Sequence, residues 1–92
     1  MTKAEIRNGK RWIEETIRKT SAGRALPINN LKWKILGNEM LSLVFSVEKV
    51  RYFEIFSEDD LSDLPKSPDI KTKVEKRLRD LMKAIRSEAK KR

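Results

Sequence analysis

The sequence predicts an α+β fold: a two-layer α-β-β-β-α(short)-α arrangement in which N- and C-terminal helices cover one face of a three-stranded antiparallel meander. Three observations carry this reading. Apolar residues recur with helical spacing at both ends of the chain, the period changes to two in the middle, and turn signals cut that middle stretch into short runs. At 92 residues the chain has room for one domain, residues 1–92, and one modest core. Cysteine is absent, so side-chain packing alone must hold the fold.

The first helix is predicted over 3–22. Thr2 and Glu5 form a capping box, and Ile6, Ile13 and Ile17 follow on one face with Trp12 and Thr16 beside them. Asn8-Gly9 is its weak point, because that dipeptide is a turn signal and glycine costs a helix about 1 kcal/mol against alanine. A start near Lys10 is the alternative. Gly23 is placed as the C-terminal stop, and Leu26-Pro27 forces an extended connection.

Strands are expected over 30–36, 40–47 and 50–56. Leu31, Trp33 and Ile35 alternate with Lys32 and Lys34, and Gly37-Asn38 turns the chain into Leu41, Leu43, Phe45 and Val47, which alternate with Ser42, Val44 and Ser46. The third run has two possible facings. A two-residue turn at Glu48-Lys49 buries Val50, Tyr52 and Glu54, whereas a longer loop buries Phe53 and Ile55. The second keeps Glu54 in water and is preferred on that ground.

Ser57 followed by Glu58, Asp59 and Asp60 opens a short helix over 58–64 that Pro65 ends. Ser67 and Pro68 then launch the longest element, a helix over 68–90. Its stripe of Ile70, Val74, Leu78, Leu81, Met82, Ile85 and Ala89 is too broad for a coiled-coil seam and suits packing on a sheet. With both stripes occupied, no apolar face is left for membrane insertion.

Charge is the strongest functional signal: the net charge is +8, which attracts nucleic acid or acidic protein surfaces. It is polarised, at −4 over residues 57–69 and +7 over 70–92. At 100° per residue, Lys76, Arg79, Lys83, Arg86 and Lys90 form one acid-free band opposite the apolar stripe of the last helix. Lys3, Arg7, Lys10, Arg11 and Arg18 repeat the theme on the first helix, relieved only by Glu14. Lys32 and Lys34, with Arg51 and the serines, place cations on the polar sheet face. Tyr52 or Phe56 beside those cations would offer rings on which bases stack, although both suit the core better. Trp33 reads as core, and Trp12 as the better candidate for an exposed ring.

Catalytic equipment is sparse. Histidine and cysteine are both missing, which removes the usual general base, metal ligand and thiolate nucleophile. Gly9, Gly23 and Gly37 are isolated and form no phosphate loop. Ser87 and Lys90 match a serine-x-x-lysine spacing on a terminal helix with no pocket. The acids Glu58, Asp59, Asp60 and Asp63 answer the dipole of their own helix without a metal.

The layout resembles that of double-stranded-RNA-binding domains and of the Alu-end proteins of the signal recognition particle. The glycine-and-lysine loop that opens the last helix of the former is replaced here by Lys66-Ser67-Pro68-Asp69, so the likeness is one of layout. The expectation is a non-catalytic, nucleic-acid-binding domain without cofactors, reading the phosphate backbone through its basic C-terminal helix. The alternative is a small protein-interaction module or inhibitor, for instance from a mobile element, that meets a protein surface. The residues Thr2 to Ile6 lack the apolar run of a signal peptide, which suggests a cytoplasmic location. Monomer and homodimer are both compatible with the sequence.

Overall fold

The computed structural model describes residues 2–22 and 27–91. Its order is α1 (Lys3–Ala22), β1 (Ile28–Gly37), β2 (Met40–Val47), β3 (Val50–Ser57), α2 (Glu58–Asp63) and α3 (Pro68–Lys90). The strands form one antiparallel sheet in the order β1-β2-β3. This is the α+β arrangement the patterning predicts. The stop at Gly23 and the connection through Leu26 lie outside the described residues.

Helix starts follow their caps. The Thr2 hydroxyl accepts the Glu5 amide at 3.2 Å while the Glu5 carboxylate accepts the Thr2 amide at 3.1 Å, closing the capping box. Ser57 accepts from the Asp60 amide at 3.1 Å and Ser67 from the Ile70 amide at 3.4 Å, which fixes the entries to α2 and α3. Gly9 does not delay α1, which runs unbroken from Lys3. A Cβ there would lie 1.9 Å from the carbonyl oxygen of Leu61, so glycine is what lets α1 and α2 touch backbone to backbone.

The core lies between the helices and one sheet face. Leu41, Leu43, Phe45 and Val47 of β2 are buried there with Ile13 and Ile17 of α1, Phe56 of β3, Leu61 of α2, Leu64, and Val74, Leu78, Met82 and Ile85 of α3. Trp33 and Tyr52 pack at its margin, the first tilted on Phe56 at 5.9 Å and the second stacked on Phe45 at 6.0 Å. The Tyr52 hydroxyl is 3.0 Å from a Glu88 carboxylate oxygen, joining β3 to the end of α3.

Two sequence expectations are corrected at the turns. The first hairpin turns at Asn38-Glu39, with φ of 49° and 60°, while Gly37 at φ 85° sits before it next to a register shift. The second is the two-residue turn Glu48-Lys49, with φ of 50° and 73°, the positive φ at both central residues that matches the right-handed twist of the paired strands. That turn sets the facing of β3. Register pairs Tyr52 with Phe45, Glu54 with Leu43 and Phe56 with Leu41, all on the helix side, and leaves Phe53 and Ile55 on the opposite face.

The preferred reading, which buried Phe53 and Ile55, is therefore overturned. Glu54 tolerates the helix side because Arg77 of α3 reaches it as an ion-pair partner. The same guanidinium donates to the Ile55 carbonyl at 2.9 Å and lies 4.9 Å from the Phe56 ring centre. A carboxylate so paired need not face water. β1 begins at Ile28, two residues earlier than predicted, and carries a bulge in which Asn30 and Leu31 together face Phe45, with Asn30 at φ 56°.

Candidate nucleic-acid interface

The cations picked out in the sequence fall on three surfaces. On α3, Lys76, Arg79, Lys83 and Lys90 are exposed and Arg86 is half-buried. Their spacing keeps them in one row opposite the buried stripe of Val74, Leu78, Met82 and Ile85. Among the described residues none of the five makes an ion pair, whereas Arg77 is held by Glu54 and Lys66 by Glu5. Arg79 and Glu75 share a depression of about 230 Å³ with Trp12, Thr16 and Lys19 of α1. The ridge thus borders the groove between the long helices, and Trp12 is a half-buried wall of it.

Arg7 lies on the other flank of α1. With Lys3 and Lys10 it lines a depression of about 350 Å³ beside Ile35 and Leu41. Lys10 extends its ammonium to 5.7 Å from the Trp33 ring centre. Arg11 and Arg18 follow Arg7 at spacings of four and seven, which keeps them in the same row. Arg7 thus lies away from the α3 ridge, whereas Arg18 also lines a depression with Trp12, Glu15, Thr16 and Lys19, three of which border Arg79.

Lys32 and Lys34 belong to the face of the sheet that the helices leave bare. They pair with Val44 and Ser42 of β2, whose neighbours Leu41, Leu43 and Phe45 point into the core. Arg51 pairs with Ser46, Phe53 with Val44 and Ile55 with Ser42 on the same bare face. Phe53 is 62% exposed and Ile55 39%. No acid occupies a strand position on this face among the described residues. Val44 and Ser42 are nonetheless buried, because the longer side chains of both outer strands close over the central one. Asn30, Lys32, Val44, Ser46 and Arg51 line a shallow depression of about 230 Å³ there.

Phe53 does not stand among the predicted contact residues, whereas Arg51, read from the sequence as a cation of the polar sheet face, lies on it. The signal for Phe53 was the alternation of β3, which becomes readable once the two-residue turn is recognised. Tyr52 and Phe56, considered for this face, lie on the helix side.

Glu5 is the most perturbed acid among the described residues. The Lys66 ammonium hydrogen-bonded to it, helped by Thr2, holds its carboxyl at about 2 against an ordinary 4.5, and Glu5 in turn raises Lys66. The pair ties the start of α1 to the α2–α3 connection and is a structural clasp. Among the described residues no group of three or more acids gathers as a metal site, and no helix is long and apolar enough to cross a membrane. Comparison with protein-family models, curated proteins and solved structures finds no match to this chain.

Proposed function

We propose that this is a non-catalytic nucleic-acid-binding domain whose α3 ridge takes a phosphate backbone. The observation that carries the proposal is the contrast within one helix. Arg77, one position off the ridge, is engaged by Glu54, while Lys76, Arg79, Lys83, Arg86 and Lys90 make no ion pair among the described residues. Glu75 and Asp80 stand at i,i+4 from Arg79 and Lys76, respectively, yet neither closes an ion pair with the ridge among the described residues. A row of cations along a rigid helix follows a polyanion, and each phosphate it neutralises releases condensed counterions.

The test is fluorescence anisotropy of labelled duplex RNA and duplex DNA at several salt concentrations. The triple variant Arg79→Gln, Lys83→Gln, Arg86→Gln is expected to bind more weakly and to lower the slope of log affinity against log salt by about three, roughly one per cation removed. An unchanged slope refutes the ridge as the contact surface.

A further inference from the structure

We infer that the bare face of the sheet binds unpaired nucleic-acid strand, with Phe53 as the platform on which a base stacks and Lys32, Lys34 and Arg51 as the phosphate contacts. The inference rests on the nucleic-acid reading and adds to it a second surface and a preference for exposed bases.

Three features of the face combine. Phe53 is 62% exposed in the middle of a strand, held by the sheet at a position where it contributes little to the core. A rigid aromatic ring presented this way offers a π-face that accepts any base. Across the sheet in the same row stands Lys32, since both residues pair with Val44. Three strands at about 4.8 Å spacing put the two side chains roughly 10 Å apart, ring on one side and cation on the other. Arg51 and Lys34 extend the cationic rim one row to either side, through Ser46 and Ser42.

Charge selects the occupant. A second copy docking face to face would bring Lys32, Lys34 and Arg51 against their equals with no acid to relieve them, and like charges set opposite each other are unfavourable. A duplex presents phosphates to such a face and keeps its bases stacked inside, which leaves Phe53 and Ile55 facing water. Unpaired strand satisfies both halves, its phosphates meeting the cations while its bases cover the apolar side.

The experiment uses the full chain with fluorescein-labelled oligouridylate, oligodeoxyuridylate and a duplex of matched length. Phe53→Ala is expected to weaken binding of the single strands roughly five- to hundredfold, the range that base–aromatic stacking commands, and to leave duplex binding unchanged. Phe53→Trp is expected to restore it. The arms that differ only in sugar show whether RNA or DNA is preferred. Equal loss on duplex and single strand, no loss on either, or a dimer in sedimentation that Phe53→Ala dissociates, overturns the inference. Duplex binding that depends on the α3 ridge while oligouridylate ignores Phe53 removes this inference alone. Failure of the unaltered chain to bind any of the probes removes the nucleic-acid reading with it.

Discussion

Replacing Gly9 with alanine tests the packing of the helical layer at its tightest point. Added to a helix in isolation, the methyl group is favourable by about 1 kcal/mol, since alanine is the better helix former. In this fold it meets the Leu61 carbonyl oxygen at 1.9 Å, the carbonyl carbon at 2.7 Å and Cα at 2.9 Å. Restoring ordinary contact requires that distance to open from 1.9 Å to at least 3.4 Å. The obstacle is backbone, so no side chain can rotate aside. α2 carries Leu61 into the core and is followed by buried Leu64, so moving it disturbs their packing against Ile13 and its neighbours. Overpacking of this kind costs about 1–3 kcal/mol and sometimes more. With a backbone obstacle the upper part of that range applies, and after the helix-propensity gain a net loss of about 2 kcal/mol remains. For a domain this small that lowers Tm by roughly 8–16 °C. Thermal unfolding followed by circular dichroism measures it, with Asn8→Ala on the exposed side of the same turn as a control expected to leave Tm unchanged or slightly raised. A Gly9→Ala protein as stable as the parent would mean that α1 and α2 do not approach as described.

Two further perturbations probe the turns and the clasp. Lys49 holds a φ of 73°, a conformation that costs a non-glycine residue about 1–2 kcal/mol; Lys49→Gly recovers this less about 0.5–1 kcal/mol of backbone entropy, so the urea midpoint is expected to rise with an unchanged m-value. Glu5 has a folded pKa of about 2, below its ordinary 4.5, so its contribution to stability is complete above about 4.5 and is lost as pH falls through about 2. The stability difference between the parent and Glu5→Gln should accordingly shrink as the pH is lowered across that window; a difference that stays constant refutes the clasp with Lys66.

Much of the architecture was legible because local rules and tertiary packing agree over most of the chain. Thr2 with Glu5, Ser57, and Ser67-Pro68 announce three helix starts, and each cap forms. The alternation of β2 is equally plain: Leu41, Leu43, Phe45 and Val47 join the core, although Ser42 and Val44 on the other face are buried as well. β3 failed for a reason that lies elsewhere in the sequence. Its facing depends on Glu48 and Lys49 both taking positive φ, which neither residue type advertises. It depends also on Arg77, more than twenty residues downstream, arriving to pair Glu54. An unpaired carboxylate argues for water, and only the assembled fold supplies the pair. Gly9 was misjudged similarly: read alone it is a break, and its purpose appears only when Leu61 is placed against it. For the site, helical spacing groups the α3 cations in one row, but spacing within one element carries no information about how elements lie side by side. The ten predicted cations therefore divide among surfaces that the sequence could not separate.

Arg77 has a consequence for how many strands the sheet can hold. Its hydrogen bond to the Ile55 carbonyl occupies an acceptor on the outer side of β3, where an incoming fourth strand would otherwise dock. On the opposite border, the extra residue at Asn30 and Leu31 bends β1 out of the straight register that another strand needs. The sheet is thereby terminated on both sides at three strands, by a side chain from a helix on one and by a backbone irregularity on the other. Phe53, Ile55 and Leu36, all in contact with water, thus lie beside strand borders that offer an incoming strand fewer free partners.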